Sequence, residues 1–200
     1  MDLFSNETIE NLLPYDGTVL YYGHALGVDA CEKYTEALLQ TVDWRFDEAV
    51  IFGKLIQTKR KVAWYGDAPF TYTYSNVQKT ALAWTPELLE LKKLVELKTG
   101  ETYNSCLLNL YPSGNEGMGW HTDGEKMLKK EGAIASLSLG VTRMFAFKHR
   151  DTQAVVKMVL EPGSLLVMRG KTQAHWLHRL PLTKKVLGLR INLTFRTVVL

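Results

Sequence analysis

The chemistry-bearing residues of this chain concentrate in a short stretch, GWHTDGE at positions 119–125, where His121 and Asp123 stand two apart. In extended backbone, residues i and i+2 leave the same face, so an imidazole and a carboxylate are aimed in one direction. One further histidine would complete the two-histidine, one-carboxylate set that leaves coordination positions open on a non-haem Fe(II). His175 and His178 both follow the apolar run ending LLVMRG, and residue type alone does not choose between them. His24 and His149 each stand beside a turn signal and are less well placed. The pair alone would equally suit a histidine hydrogen-bonded to an acid in a turn, so it needs support from elsewhere in the chain.

That support comes from RINLTFR near the C-terminus, which alternates with period two. Arg190, Asn192, Thr194 and Arg196 share one face, and Ile191, Leu193 and Phe195 share the other. If the polar face is solvated, the arginines are ordinary surface charges. If it looks inward, two guanidiniums demand anionic partners, because a buried unpaired charge is very costly. A small dicarboxylate would satisfy both. In NLY, Asn109 and Tyr111 repeat the geometry and could donate hydrogen bonds to carboxylate oxygens.

The elements that must position these residues fall into two groups. VDACEKYTEALLQTV predicts a helix capped by Asp29, with Glu32 three positions later and Tyr34, Ala37, Leu38 and Val42 on one stripe. TPELLELKKLVELKTG predicts a second: Thr85 caps, Pro86 takes the first position, Leu88, Leu91 and Val95 share a face, and Gly100 stops it. From about residue 103 the chain turns to short strands separated by Gly, Pro and Asn signals. The expectation is an α+β fold: helices and a meandering N-terminal part against a C-terminal double-stranded β-helix, or jelly roll.

Length and composition bound the rest. With 200 residues, 46% hydrophobic content and no internal repeat or linker, one domain over 1–200 is expected. The net charge is only +3, but Lys54, Lys59, Arg60 and Lys61 form a basic run with no acid until Asp67, which suggests a polyanionic partner. Cys31 and Cys106 lie far apart, and the polar, acidic N-terminus is unlike a secretory signal. No apolar run approaches the roughly 20 residues needed to span a bilayer. An intracellular monomer without a membrane partner is expected, cytoplasmic in a bacterium and nuclear in a eukaryote.

Taken in order, Asn109 and Tyr111, His121 and Asp123, a histidine, Arg190 and Arg196 resemble the AlkB family of Fe(II)- and 2-oxoglutarate-dependent dioxygenases. NLYPSGNEGMGWHTDGE, IASLSLGVTRMFAFKH and HRLPLTKKVLGLRINLTFR carry the resemblance over roughly half the chain, and IFGK and YGDAPFTYTYSN are similar to the members that repair alkylated duplex DNA. The resemblance implies that His121, Asp123 and His178 hold the iron, which makes His175 a decoy. It implies that Asn109, Tyr111, Arg190 and Arg196 hold 2-oxoglutarate. It further implies a nucleotide-recognition hairpin region over about 45–80 and a catalytic core over about 103–200. There Phe52 would wedge into the base stack, Lys54 and Arg60 would contact phosphate, and Tyr72, Tyr74 and Glu125 would line the pocket of a flipped cationic base.

The implied reaction uses Fe(II), O2 and 2-oxoglutarate to remove methyl groups from bases such as 1-methyladenine and 3-methylcytosine, in single- or double-stranded DNA, with RNA a further candidate. Formaldehyde, succinate and CO2 are released. The same chemistry on RNA or a protein side chain would keep the triad and both arginines without needing Phe52 or the tyrosines. A non-catalytic nucleic-acid binding module would need neither intact set. TKRK fits the duplex-repair pattern only loosely, and position 124 is Gly where some relatives carry a second acid.

Overall fold

The structure is a computed structural model that describes residues 9–51, 54–74 and 77–199. In chain order it comprises β1 (Thr18–His24), α1 (Val28–Thr41), a hairpin of β2 (Arg45–Ile51) and β3 (Lys54–Gly66), then β4 (Thr71–Tyr74), β5 (Val77–Thr80), β6 (Leu82–Ala83) and α2 (Pro86–Thr99). There follow β7 (Ser105–Tyr111), β8 (Met118–His121), β9 (Ile134–Gly140), β10 (Arg143–His149), β11 (Val155–Leu160) and β12 (Ser164–Arg169). A single turn α3 (Thr172–His175), β13 (Trp176–Leu180) and β14 (Arg190–Arg196) complete it.

The larger sheet runs β1-β12-β9-β14-β7-β3-β2, with β6 beside β3, and the smaller runs β11-β10-β13-β8. Apart from the β3–β6 contact, all of these pairings are antiparallel. This is the expected double-sheet, α+β architecture, with one difference. The larger sheet is not confined to the C-terminal half: β1 edges it beside β12, and the long β3 pairs with β7. Those strands find their partners far away in sequence, so local pattern gave no hairpin signal for β1.

Helix α2 forms as its sequence dictates. The Thr85 side chain accepts from the Leu88 amide, Pro86 occupies the first turn, and Gly100 closes the helix at φ 70°. For α1 the expected cap is corrected: Gly27 is the N-cap and makes no side-chain bond, while Asp29 sits inside the first turn. There its charge still suits the positive end of the helix dipole.

Both helices pack on the outer face of the larger sheet. Leu38, Leu88, Leu91 and Val95 join Leu108, Leu137, Ile191, Leu193 and Phe195 in one apolar cluster. The apolar half of β14 is consumed there, so its polar half must face the space between the sheets, and all seven residues are buried. A second cluster, built on Phe147, Leu166, Met168 and Trp176, seals one end of that space.

Leu91 is wholly buried and Leu97, on the same helix, is 88% exposed. Leu91→Ala should therefore lower the unfolding free energy by about 2–5 kcal/mol and Leu97→Ala by less than about 0.5 kcal/mol, as read by urea denaturation.

Candidate metal and cosubstrate site

Strand register brings the first two ligands together. His178 on β13 is the direct cross-strand partner of His121 at the end of β8, and the imidazole centroids lie 4.2 Å apart. Asp123 follows two residues beyond β8 and sends Oδ1 to within 3.7 Å of Nε2 of each histidine. All three ligand atoms lie within 4.8 Å of one another, close enough for one ion to touch all three.

Supporting contacts orient the set. His121 Nδ1 donates to the Gly119 carbonyl at 2.8 Å, which leaves the Nε2 lone pair facing the other two ligands. The Asp123 amide donates to the Gln173 side-chain oxygen at 2.9 Å, and Arg196 donates to Asp123 Oδ2 at 2.8 Å, leaving Oδ1 for the ion. Burial alone would raise the Asp123 pKa, but Arg196, then His178 and His121, outweigh it and hold the carboxylate ionised far below its usual range. Burial, followed by the neighbouring His178, lowers the His121 pKa below 6.5 and favours the neutral, ligating form.

His175, the rival third ligand, lies elsewhere. It stacks parallel to His149 at 6.0 Å between centroids, and with Asp16 they make a second cluster of the same composition. Its hydrogen bonds are opposite in sense. His149 Nδ1 accepts from the amides of Asp151 and Thr152, while its Nε2 lies 3.4 Å from Asp16 Oδ2 without a hydrogen bond. A metal on that Nε2 would force a proton onto Nδ1 against two amide donors. The second cluster sits beside the segment before β1 with one of its imidazoles turned to backbone amides, whereas the first brings both histidine Nε2 atoms and a carboxylate oxygen together at the cavity.

The triad opens into a cavity of about 1110 Å³ between the sheets. Asn109, Tyr111, Arg190, Asn192, Thr194 and Arg196 line it, so the polar face of RINLTFR does look inward. Arg190 is 2% exposed, and its guanidinium finds Ser138 Oγ at 2.9 Å and Asn192 Oδ1 at 2.7 Å, while its Nε has no partner. Burial pulls its pKa down to about 10, partly offset by Tyr111. This is a buried cation held by neutral acceptors, and a carboxylate entering the cavity would relieve it.

Arg196 is differently engaged. It bridges Asp123 and Glu125, donating to Glu125 Oε1 at 3.2 Å, so its foremost observed role is to hold the carboxylate of the triad. Arg60, expected to contact phosphate, lines the cavity and pairs with Asp47. Phe52 lies outside the described residues, as do the side chains of Lys54, Tyr72 and Tyr74. Sequence reasoning missed Gln173, Ser136, Ser138 and Asp47. The serines had a signal, the period-two alternation of IASLSLG, whose polar members face Asn192 and Thr194 across β14. Gln173 had none, because its contact with Asp123 spans 50 positions.

Residues 18–196 match the family described as the 2OG-Fe(II) oxygenase superfamily. The chain is 42% identical over 158 residues to the DNA oxidative demethylase ALKBH2 of Homo sapiens, covering 75% of this chain and 60% of that protein. Against the Mus musculus protein of the same name it is 38% identical over 197 residues, covering 93% and 80%. The chain belongs to the AlkB family of 2OG-Fe(II) oxygenases. A solved structure, OsALKBH1, matches the AlkB fold seen here with a TM-score of 0.63 at 17% identity, over 92% of this chain and 98% of that one.

The residues present fit the groups that name the AlkB family. Two imidazole nitrogens and one carboxylate oxygen suit Fe(II), and the buried, carboxylate-free Arg190 suits one end of 2-oxoglutarate. Titration of the protein with Mn(II) or Co(II) should give one tight site that His178→Ala abolishes and His175→Ala leaves within about threefold. Because the His121 pKa is lowered, its proton competes with the metal only below pH 6.5, and the His121-dependent acid loss of binding should lie on that side.

Proposed function

We propose that this protein is an oxidative demethylase of alkylated bases in DNA, with 1-methyladenine and 3-methylcytosine as representative substrates. The observation that carries the reading is a single cavity that joins a metal-competent triad to a buried cation lacking a carboxylate, with volume left over for a base. The ALKBH2 relatives, named as DNA oxidative demethylases, support DNA as the substrate. In this reading residues 1–200 form one dioxygenase domain, with 45–80 as the nucleotide-recognition segment and 103–200 supplying most of the catalytic core.

Each residue then has a task. His121, Asp123 and His178 would hold Fe(II), with Arg196 fixing the Asp123 carboxylate so that one oxygen faces the ion. Arg190 would take the distal carboxylate of 2-oxoglutarate, with Asn109 and Tyr111 orienting the rest by hydrogen bonds. When bound, Fe(II) with 2-oxoglutarate and O2 supplies oxidation of a C–H bond, with succinate and CO2 released. Oxidised at its N-methyl carbon, the base loses formaldehyde and regains its Watson–Crick edge.

The target methyl lies inside the duplex, so the base must leave its stack to reach the cavity. Glu125, at the cavity, 45% exposed at its side chain and paired through one oxygen with Arg196, would face the positive charge of an N-methylated base. The apolar cluster around Phe147 and Trp176 closes the cavity behind His178 and keeps bulk water from that side. Phe52 as stacking wedge, Lys54 as phosphate contact, and Tyr72 and Tyr74 as base walls complete the reading by family resemblance.

The test is mass spectrometry of matched single- and double-stranded oligonucleotides carrying one 1-methyladenine, incubated with Fe(II), 2-oxoglutarate and ascorbate. Loss of one CH2 mass only when 2-oxoglutarate is present is the expected result. No loss on either strand form, with succinate still produced, would move the substrate to RNA or protein.

Arg190 yields a second expectation. Adding 2-oxoglutarate at about 100 times its Kd to the Mn(II)-loaded wild type should stabilise it by about 2.7 kcal/mol, a rise in Tm of roughly 5–10 °C. Arg190→Met should lose that rise, while the protein without 2-oxoglutarate keeps or gains stability, since a buried cation without a carboxylate has been replaced by an apolar chain. A full 2-oxoglutarate shift in the variant would remove Arg190 from the cosubstrate site.

A further inference from the structure

The base of the β2–β3 hairpin is irregular at one point. Phe46 pairs with Lys61, but the next pairing is Glu48 with Gln57, so Asp47 alone faces residues 58–60. Such a bulge bends the strand and re-aims side chains, and bulges recur beside active sites. Here it turns two charged residues inward: Asp47 and Arg60 pair with side chains each only 12% exposed, and both line the cavity. Neighbouring Lys59 stays exposed.

The inward turn has a target. On the other side of β3, Lys61 pairs with Leu110 and Val62 with Asn109 of β7, so Arg60 and Tyr111 are the next positions outward along that ladder. Residues opposite one another in an antiparallel ladder share a face. Arg60 therefore continues the row of Val62 and Trp64, and Tyr111 that of Leu107 and Asn109, all of which line the cavity. The Arg60 guanidinium also rests on the Met118 sulfur. Burial opposes its charge, and the Tyr111 phenol and the Asp47 carboxylate more than offset that, leaving its pKa above the ordinary value.

We propose that Asp47 and Arg60 are positioning residues that hold the Tyr111 phenol in the cosubstrate site, so that Arg60 acts on 2-oxoglutarate binding and not on DNA phosphate. The inference rests on the reading of Tyr111 as a 2-oxoglutarate contact. A buried ion pair is a weak stabiliser of the fold, because desolvating two charges cancels most of their attraction. Its value here is geometric: Asp47 anchors the guanidinium, and the guanidinium fixes a phenol that could otherwise rotate away.

The experiment is calorimetric titration of 2-oxoglutarate into the Mn(II)-loaded full chain, beside duplex binding measured at several salt concentrations. Arg60→Met should weaken 2-oxoglutarate about tenfold, Arg60→Lys should recover part of the loss, and Arg60→Met combined with Tyr111→Phe should be no worse than the poorer single variant. The salt slope of duplex binding should match wild type. Should Arg60→Met fail to fold, Asp47→Asn, which keeps the side-chain shape, should show the same weakening.

Unchanged 2-oxoglutarate affinity in well-folded Arg60→Met, or a salt slope reduced by about one, would overturn the inference and return Arg60 to the phosphate backbone. So would a fall in Tm with no change in 2-oxoglutarate Kd, the mark of a purely structural pair. Wild-type protein that binds Mn(II) but no 2-oxoglutarate would instead overturn the functional reading on which the inference stands.

Discussion

A guanidinium buried away from water must meet an anion or a full set of acceptors, and that constraint organises this molecule. Arg196 meets Asp123 and Glu125, and Arg60 meets Asp47. Arg143, 1% exposed, donates to the carbonyls of Ser113, Glu116 and Pro181, tying together the loops after β7 and β13. Among the described residues Arg190 meets a hydroxyl, an amide oxygen and the face of the Tyr111 ring, and no carboxylate. In a low-dielectric cavity such an imbalance favours an incoming carboxylate, because the desolvation of the cation has already been borne by the fold.

The same accounting of protons separates two clusters that composition cannot. His121 gives its Nδ1 proton to a carbonyl and keeps a lone pair for a metal; His149 accepts two amide protons at Nδ1. The decisive atoms are backbone groups of Gly119, Asp151 and Thr152, whose side chains play no part. A ligand set is thus chosen by what lies behind it as much as by the ligands.

These contacts are held by sheet register. His178 opposite His121, Asn192 opposite Asn109 and Arg190 opposite Tyr111 are ladder pairs, so the helices that bury Ile191, Leu193 and Phe195 also fix where the polar face points. A slip of one residue in β14 would send its arginines into the helix interface. The fold's stability and the site's geometry rest on one strand alternation.

By itself, the sequence determined what is local or periodic. The cap and face of α2, the same-side aim of His121 and Asp123, and the two faces of RINLTFR follow from spacings of two to four residues, which backbone geometry translates directly into direction. The family order of motifs added His178. Only the tertiary structure decided that the polar face of β14 is enclosed, that Arg196 serves Asp123, that Arg60 turns inward at a bulge, and that His175 joins a separate cluster with Asp16 and His149. Those outcomes depend on strands paired across long sequence separations and on backbone donors and acceptors that every residue type carries alike, so no side-chain pattern could announce them.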